Sequence, residues 1–441
     1  MKRRNFLRNI GGTAFGLSIL QTALAKGMTE NLDLLDDPYQ VLGNSGAVGE
    51  IVVVGGGMAG TTVAKYLRLW GGTGVKVTLV EPNATYYSNI FSNMVLTGER
   101  TLSQLAFNYS TLQSKYGVIV KNYAVTFIDP TSKTVSLSNG EKLSYNRLVL
   151  APGIDFEPLP IAGTQTNISK VVHAWKAGPQ TTSLKSQIQS MTSKDTFILT
   201  IPPKPYRCPP GPYERACVVA DYLKRTKGGG KVIILDANTG IQAEPENFNR
   251  AFTQTHKGII TYVPNAVISS INADTGTVVT STAGTFKGKV INAIPTHKAG
   301  NLITQSGIGL NNAGAGKWAG VNVLSYESTA VPLVHIIGDS SSTTQPKAGH
   351  IANAEAKVCA AAIIQLLKGE PINQTPVTNS SCFTPITKTT ASWLSVVFKY
   401  DPLTGTMQPT GAGITESAGA TSENYEDMLK WFNNLMSDTF K

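Results

Sequence analysis

The sequence is poor in charge, cysteine and histidine. Only 15% of its 441 residues are charged, and it contains four cysteines and five histidines. The histidines show no metal-ligand spacing, and the sequence lacks the C-x-x-C-H motif that attaches a c-type haem. Lysine and arginine form no run beyond the first 25 residues. The sequence therefore predicts no metal site, no haem of its own and no nucleic-acid binding.

The composition is typical of a globular α/β protein. Hydrophobic residues make up 41% of the chain, which argues against disorder. The 42 glycines suit a fold with many tight turns between strands and helices. The length allows two or three domains. The formal net charge is +10, of which the first 25 residues contribute +4, and it indicates a mildly basic surface that could steer an acidic protein partner.

The first 25 residues have the pattern of an export signal. A twin-arginine pattern with Arg3 and Arg4 precedes an apolar stretch, and Ala23 and Ala25 are typical of a signal-peptidase site. The stretch is a poor transmembrane span, although an uncleaved anchor is an alternative. We expect a twin-arginine signal peptide over 1–25, a linker over 26–48, export to the periplasm and no transmembrane span.

A dinucleotide-binding fingerprint begins at residue 51. A β-branched run at 51–54 predicts a buried parallel strand, a helical stretch follows at 61–70, and a second strand at 75–80 ends before an acid. Three glycines between strand and helix allow a tight turn, close approach to a pyrophosphate and close packing of the helix. The acid can accept hydrogen bonds from a ribose diol. The expected cofactor-binding residues of this unit are Gly55, Gly57, Met58, Ala59, Gly60, Glu81 and Pro82.

Two later segments indicate which dinucleotide is bound. Residues 148–153 resemble the strand and A/T-P-G element of two-dinucleotide-domain flavoproteins, and residues 334–339 resemble their second FAD motif. In those flavoproteins the aspartate of the second motif binds the ribityl chain of FAD. The order of these elements favours FAD over free NAD. The cofactor-binding residues expected from them are Ala151, Pro152, Gly153, Gly338 and Asp339.

A second α/β unit follows, but its loop lacks the features of a nucleotide cradle. Strands are expected at 197–201 and 231–235, with a helix at 216–224. Disulfide reductases have a glycine-rich loop between such a strand and helix, whereas here five prolines stand within 202–210 and remove backbone donors. We expect this unit to keep the topology without binding NAD. The stiff loop either fixes Cys208 in place or is a structural loop with an ordinary cysteine.

The four cysteines divide into two groups by their surroundings. Cys217 and Cys359 lie in apolar helical patterns and are expected in the core. Cys208 and Cys382 lie in polar or proline-rich segments, and two such cysteines are candidate disulfide partners in an oxidising compartment. Without further information the pairing stays open.

The proline-rich loop carries a family resemblance. Residues 207–216 are similar, nearly residue for residue, to a loop of the flavoprotein subunit of flavocytochrome c sulfide dehydrogenases. Three further segments resemble the same family, at 346–353, 379–382 and 431–435. The resemblance covers essentially the whole mature chain, and its most specific part is the loop.

The resemblance implies a redox-active disulfide between Cys208 and Cys382 beside the flavin ring of FAD. It adds Lys347 and Trp431 to the expected cofactor-binding residues. It also implies a heterodimer with a small c-type cytochrome subunit that takes up the electrons. Many family members carry a cysteine bonded to the flavin where this sequence has Asn89. We therefore expect FAD to be bound non-covalently.

The reaction that the resemblance implies is the oxidation of sulfide or polysulfide. Sulfide would attack a sulfur of the disulfide, leaving a persulfide on one cysteine and a thiolate on the other. Glu214 is a candidate proton acceptor or donor near the thiol, or an ordinary acid at a helix start. Arg207 or Arg215 could lower the pKa of the thiol, or lie at the surface. The expected catalytic residues are Cys208, Cys382 and Glu214.

Three other functions are alternatives to this one. A sulfide:quinone oxidoreductase would have a similar architecture, and the amphipathic segment 425–440 could serve it as a membrane anchor. A non-catalytic FAD-binding assembly protein is conceivable, although the presence of both loop cysteines argues against it. An NAD(P)H-dependent disulfide reductase is disfavoured because the sequence has no second glycine fingerprint.

The expected fold class is α/β. It comprises two Rossmann-like dinucleotide-binding domains of the glutathione-reductase-like type and a small C-terminal α+β interface domain. We expect the FAD-binding domain over 49–160 and 290–370, and the second nucleotide-binding-like domain over 161–289. The interface domain is expected over 371–441.

Overall fold

The computed structural model describes residues 43–441. The expected signal peptide and positions 26–42 of the expected linker lie outside the described residues. The first described strand, Gly49–Val54, is almost entirely buried and pairs in parallel with the strands on both sides. Its β-branched residues suit a strand covered on both faces. It lies near one edge of an eight-stranded sheet.

The large sheet takes strands from two distant parts of the chain. The strand Val334–Ile336 pairs in parallel with Arg147–Leu150, which pairs in turn with Gly49–Val54. The two segments that resemble FAD motifs therefore both lie at the carboxyl ends of the parallel strands. Across the sheet the strands are Ser341–Ser342, Ala319–Asn322, Glu327–Ser328, Val334–Ile336, Arg147–Leu150, Gly49–Val54, Val75–Val80 and Ile119–Lys121.

Two helices pack together on this sheet. Helix Met58–Gly71 begins directly after the glycine loop and contacts helix Gly349–Lys368. Gly60 lies in the first of them, so close to the loop that a Cβ atom there would be 1.8 Å from the Gly55 carbonyl oxygen. The expected role of Gly60 in close packing of helix and strand therefore matches its position.

The second unit is a four-stranded parallel sheet. Its strands in order are Ile260–Val263, Lys231–Asp236, Thr196–Ile201 and Val290–Ala293. The last of these strands lies beyond the domain boundary expected at residue 289, because it pairs with Thr196–Ile201. The helices of this unit are Pro179–Gln189, Gly211–Lys227 and Pro245–Arg250, the last continuing as a π-helical turn over Ala251–Thr255.

The C-terminal part is an antiparallel sheet followed by a helix. Strand Ala391–Asp401 pairs with Val377–Pro385, Thr406–Pro409 and Ile414–Thr415. The helix Ser422–Phe440 begins after Thr421, whose hydroxyl accepts a hydrogen bond from the Asn424 N–H (3.1 Å), as an N-cap residue does.

The apolar face of the C-terminal helix is buried against the FAD-binding unit. Phe440 stacks on Tyr86 and Phe107, and Phe432 stacks on Phe91. This face would therefore have to leave its packing to act as the membrane anchor considered for segment 425–440. None of the helices within residues 43–441 is long and apolar enough to cross a membrane.

Short elements complete the described part of the chain. The small strands are Tyr86–Tyr87, Ala106–Phe107, Val125–Asp129, Thr134–Leu137, Lys142–Ser144, Ile154–Phe156, Ile161–Ala162, Ile268–Asn272, Thr277–Thr280, Thr285–Lys287 and His297–Ala299. The short helices and 3-10 turns are Gly72–Gly74, Ser92–Thr97, Ser103–Leu105, Ser110–Ser114, Gln165–Ile168, Asn301–Thr304 and Gly338–Ser340. The fold is α/β with two Rossmann-like units, which confirms the expected class.

Replacing Gly60 with alanine tests the close contact between helix and glycine loop. Because the new methyl group would overlap the Gly55 carbonyl, the backbone must shift, and we expect a loss of about 1–3 kcal/mol in the free energy of unfolding together with weaker FAD retention. Thermal denaturation and flavin absorbance measure both effects. Gly240→Ala is the control, since an added Cβ there meets nothing within 4 Å. Equal stability of the two variants would contradict this account.

Candidate active site

A cavity of about 570 Å³ lies where three helices begin. The first residues of these helices, Met58, Gly211 and Gly349, all line it. The N-terminal end of a helix carries unpaired N–H groups and a partial positive charge, so this cavity suits a ligand with anionic or acceptor groups. Its volume falls within the usual range for cofactor sites.

Most of the expected cofactor-binding residues meet at this cavity. Gly57 faces open space, because a Cβ atom there would have only one neighbour within 4 Å, at 3.8 Å. The Glu81 carboxylate accepts hydrogen bonds from the backbone N–H groups of Gly56 (2.8 Å) and Asn83 (2.9 Å). The expected residues that line the cavity are Gly55, Gly57, Met58, Ala59, Glu81, Ala151, Pro152, Gly153, Gly338, Asp339 and Trp431.

Three expected cofactor-binding residues lie away from the cavity lining. Gly60 is behind the glycine loop, where it allows close packing, and Pro82 is exposed. The Lys347 ammonium group donates to the carbonyl oxygens of Asp339 (2.9 Å) and Ser341 (2.8 Å). Lys347 therefore holds the segment after Gly338 in place, and its side chain is not part of the lining.

Two buried polar atoms at the cavity fit an FAD molecule. Asp339 Oδ1 and Trp431 Nε1 are buried and have no hydrogen-bond partner within the described chain. A buried polar atom without a partner is costly, so both atoms point to a bound group that supplies one. A carboxylate oxygen suits a hydroxyl donor such as the ribityl chain, and an indole N–H suits an acceptor. Burial also raises the pKa of the Asp339 carboxyl.

The loop that carries Cys208 is fixed by hydrogen bonds from its backbone N–H groups to the FAD-binding unit. The Cys208 N–H donates to the Lys347 carbonyl oxygen (2.7 Å), and the Arg207 N–H donates to His297 Nδ1 (2.9 Å). Cys208 has a left-handed backbone with φ +60°, which is rare for a residue other than glycine. Such a conformation persists only where the surrounding contacts impose it. A Cβ atom on Gly211 would lie 2.7 Å from the Cys208 Sγ, so Gly211 leaves room for the thiol.

Cys382 reaches the same cavity from the C-terminal sheet. It lies in strand Val377–Pro385, and the N–H of its neighbour Ser381 donates to His350 Nδ1 (2.9 Å). Cys208 and Cys382 both line the cavity, and both are free thiols in this structure, as are Cys217 and Cys359. The last two are buried in helices, as expected.

Burial and neighbouring charge keep the two cavity thiols protonated. Burial, with a contribution from Glu214, raises the pKa of Cys208 to about 12, and nearby Arg207 opposes this shift. Burial, followed by the nearby Cys208, raises the pKa of Cys382 well above its usual range. The expected lowering of the thiol pKa by arginine is therefore outweighed by desolvation.

Glu214 also lines the cavity, and a single amide orients it. Asn93 Nδ2 donates to Glu214 Oε1 (2.9 Å), while Asn93 Oδ1 accepts from Arg215 Nε (2.8 Å). Burial raises the pKa of Glu214 to about 8, so its carboxyl holds a proton near neutral pH. A protonated carboxyl beside Cys208 can donate that proton, which favours the proton-transfer role over that of an ordinary helix-start acid.

Arg215 is a buried structural residue. Its guanidinium donates to the carbonyl oxygens of His173 (2.7 Å) and Ala174 (2.8 Å) and lies 4.6 Å from the Trp175 ring centroid. The surface alternative for Arg215 was therefore wrong. Neither Arg215 nor Asn93 was singled out as a site-organising residue from the sequence, because their partners are as many as 122 positions away.

In the second unit, the acid at the position of a ribose-binding residue has both carboxylate oxygens hydrogen-bonded to the chain itself. Asp236 ends strand Lys231–Asp236, the position of a ribose-binding acid, and is fully buried. Its Oδ2 accepts from the hydroxyls of Tyr213 (2.7 Å) and Tyr262 (2.9 Å), and its Oδ1 accepts from the Asn238 N–H (2.9 Å). These contacts give a physical basis for the prediction that this unit does not bind NAD.

Asn89, at the position where relatives carry a flavin-linking cysteine, lines the cavity with its side chain in a hydrogen bond. Its Oδ1 accepts from the Ala177 N–H (2.8 Å). Within residues 43–441 the cysteines that line the cavity are Cys208 and Cys382. No group of three or more His, Cys, Asp or Glu side chains in the same range could hold a metal ion.

The pH dependence of thiol alkylation tests the electrostatics around Cys208. Since the pKa of Cys208 is raised to about 12, the thiolate fraction should rise roughly tenfold per pH unit between about pH 7 and pH 10 without a plateau. Glu214→Gln removes the negative charge that this carboxyl carries above about pH 8, so it should speed alkylation at pH 9–10 and have little effect at pH 7. Peptide mapping by mass spectrometry after iodoacetamide treatment of the reduced protein measures the rate. A plateau near pH 8.5 in the wild type would contradict the raised pKa.

Comparisons with known proteins agree with this geometry. Residues 181–295 match the family model described as sulfide dehydrogenase (flavocytochrome c) flavoprotein chain, central. Residues 49–190 match the pyridine nucleotide-disulphide oxidoreductase family model. The crystal structure of the sulfide:quinone oxidoreductase from Aquifex aeolicus has a TM-score of 0.73 at 16% identity, covering 88% of this chain and 91% of that one.

Curated relatives give the same picture at low identity. The mitochondrial sulfide:quinone oxidoreductase of Dictyostelium discoideum is 22% identical over 363 residues, 80% of this chain and 78% of that protein. Ferroptosis suppressor protein 1 of Taeniopygia guttata is 32% identical over 105 residues, which span 24% of this chain and only 26% of that protein. The match thus covers about a quarter of that relative's length.

The matches to these two family models and to these structures confirm the resemblance expected from the loop around Cys208. The chain has the fold of the two-dinucleotide-domain disulfide oxidoreductases and is similar to the flavoprotein chain of flavocytochrome c sulfide dehydrogenase.

Proposed function

We propose that this chain is an exported, periplasmic FAD-dependent oxidoreductase that oxidises sulfide or polysulfide through Cys208 and Cys382. A separate c-type cytochrome subunit, in a heterodimer with this chain, takes up the electrons. The observation that carries the proposal is that both cysteines line the cavity that also contains the glycine cradle and Asp339. The match of residues 181–295 to the sulfide dehydrogenase family supports the substrate.

Bound FAD would supply a two-electron acceptor that can release electrons one at a time to a cytochrome. The chain would hold its pyrophosphate at the N-terminus of helix Met58–Gly71, with Glu81 and Asp339 at the hydroxyl groups. Trp431 Nε1 is a donor for one of its acceptor atoms. Asn89 replaces the flavin-linking cysteine of relatives, so we propose that the cofactor is held without a covalent bond.

The cysteine pair is the electrophile of the proposed reaction. In the oxidised pair, the sulfur of HS⁻ forms a bond to one cysteine sulfur, and the bond between Cys208 and Cys382 breaks. One cysteine then carries a persulfide, and the other leaves as a thiolate with the bonding electrons. A thiolate is unfavourable in this buried place, because burial raises the pKa of both thiols.

Glu214 can relieve that cost by giving the leaving sulfur a proton. Its carboxyl has a pKa raised to about 8 and lies beside Cys208, so it is protonated near neutral pH. The proton would pass from the carboxyl to the Cys208 sulfur. We therefore favour the role of proton donor for Glu214 over that of an ordinary acid at a helix start.

A quinone acceptor is the second candidate, because several of the similar proteins are sulfide:quinone oxidoreductases. Such an acceptor needs contact with a membrane. The C-terminal helix proposed for this contact has its apolar residues Met428, Phe432 and Phe440 buried within the described fold. We therefore favour the cytochrome over the quinone.

Anaerobic addition of sulfide to the purified mature protein tests the proposed function. We expect loss of oxidised-flavin absorbance, abolished in Cys208→Ser and Cys382→Ser but retained in Cys217→Ala, whose thiol is buried away from the cavity. Oxidised c-type cytochrome should restore the absorbance.

The other acceptors and roles give different results in the same assay. Restoration by a short-chain ubiquinone and not by the cytochrome would select the quinone alternative. Flavin that stays oxidised in the wild type would select a non-catalytic FAD-binding role.

Acid precipitation tests the mode of FAD attachment. Because Asn89 cannot form the thioether of relatives, the flavin should appear in the supernatant as free FAD, and the polypeptide band on a denaturing gel should show no flavin fluorescence. Chromatography of the supernatant measures the released fraction. Fluorescence that stays with the band would contradict the non-covalent attachment.

A further inference from the structure

Glu244 is a buried carboxylate outside the proposed reaction. It precedes helix Pro245–Arg250 of the second unit, is 5% exposed and has a left-handed backbone with φ +49°. A buried acid in a strained conformation is costly unless its oxygens are fully bonded. The bonds that Glu244 makes therefore explain why it is there.

The partners of Glu244 belong to the C-terminal sheet. The Thr384 hydroxyl donates to Oε1 (2.9 Å), and the Ser392 hydroxyl donates to Oε2 through a short hydrogen bond. Asn247 Nδ2 donates to the same Glu244 oxygen (3.3 Å). The same nitrogen also lies within hydrogen-bond distance of Ser392 Oγ (2.7 Å) and Thr415 Oγ1 (3.0 Å). One carboxylate and its neighbouring amide thus hold three strands of the sheet against the second unit.

The register of the sheet links this contact to Cys382. Thr384 and Ser392 face each other across the strand pair, and Cys382 is two residues before Thr384 on the same strand. Side chains two apart in a strand point to the same face. Because Thr384 points to Glu244 of the second unit, Cys382 points to the same side, where the Cys208 loop lies at the cavity.

A second contact fixes the other side of Cys382. The Ser381 N–H donates to His350 Nδ1 at the start of helix Gly349–Lys368 in the FAD-binding unit (2.9 Å). Cys382 is therefore held between one anchor on the FAD-binding unit and one on the second unit. The His350 anchor acts on the backbone, whereas the Glu244 anchor acts through the side chains that set the face of the strand.

We propose that Glu244 is a positioning residue that presents Cys382 to Cys208. This inference rests on the proposed function, in which the two cysteines form a redox pair. Glu244 touches neither thiol in the bonds described above and acts through Thr384. Without its carboxylate, the end of the strand gains freedom, and the two sulfurs spend less time within bonding distance.

The equilibrium of the cysteine pair with glutathione tests this role. Oxidised glutathione takes two electrons and two protons from Cys208 and Cys382, which gives one protein disulfide and two molecules of reduced glutathione. The equilibrium constant reports how well the fold holds the two sulfurs together. It is measured on the FAD-containing protein by acid quenching, maleimide labelling and peptide mapping at several glutathione ratios.

Three variants give distinct expected results. Glu244→Ala should lower the equilibrium constant about tenfold, since several charge-assisted hydrogen bonds are lost. Thr384→Val should reproduce part of this fall, because it removes the bond on the Cys382 strand alone. Glu246→Ala, a change of an exposed acid on the same helix, should leave the constant unchanged. Thermal denaturation shows whether each variant is folded, and Thr384→Val decides the matter if Glu244→Ala does not fold.

The failure of this inference differs from the failure of the proposed function. If the wild-type pair forms a disulfide and both Glu244→Ala and Thr384→Val keep its equilibrium constant, the positioning role is overturned and the redox pair stands. If the wild-type pair forms no disulfide at any glutathione ratio, the redox pair itself fails, and Glu244 has no pair to position. Neither readout requires sulfide or a cytochrome.

Discussion

The hydrogen bond from the Cys208 N–H to the Lys347 carbonyl oxygen joins the two Rossmann-like units at the candidate active site. Lys347 in turn donates from its ammonium group to the carbonyl oxygens of Asp339 and Ser341. The loop of the second unit is thereby tied to the segment that follows the second FAD motif. Together with the bond from the Arg207 N–H to His297 Nδ1, this hydrogen bond fixes the position of the Cys208 thiol at the cavity. The left-handed backbone of Cys208 is sustained by the same contacts.

Buried polar groups set the chemistry of the site. The side-chain amide of Asn93 donates to Glu214 and accepts from Arg215. These two neighbours in sequence are therefore bridged by one amide, although only Glu214 has a proposed role in the reaction. Arg215 is saturated by backbone carbonyls, whereas Glu214 stays protonated at the cavity because burial raises the pKa of its carboxyl. Glu244 is a third buried ionisable group, and its oxygens accept hydrogen bonds from hydroxyls of the C-terminal sheet. Each of these buried groups thus has partners that fix its position.

The second unit shows how a nucleotide-binding topology can be kept for another purpose. Its parallel sheet and the helix Gly211–Lys227 have the usual order, but the prolines remove the donors that a pyrophosphate needs. Asp236 ends the second strand of this unit, and its carboxylate accepts hydrogen bonds from the hydroxyls of Tyr213 and Tyr262. The helix N-terminus now lies at the cavity shared with the first unit. The unit serves as a rigid support for Cys208 and, through Glu244, for Cys382.

The sequence by itself determined the fold class, the glycine cradle and the identity of the two cavity cysteines. Strand, glycine loop, helix and acid follow each other within about thirty residues, so local spacing was enough to predict them. The sequence left Arg215 open as a surface residue and did not single out Asn93 or Glu244. These residues act through partners that lie far away in the chain, such as Thr384, 140 positions from Glu244. Only the tertiary structure decides such contacts, because burial and side-chain direction depend on how distant segments pack, and no local pattern encodes that packing.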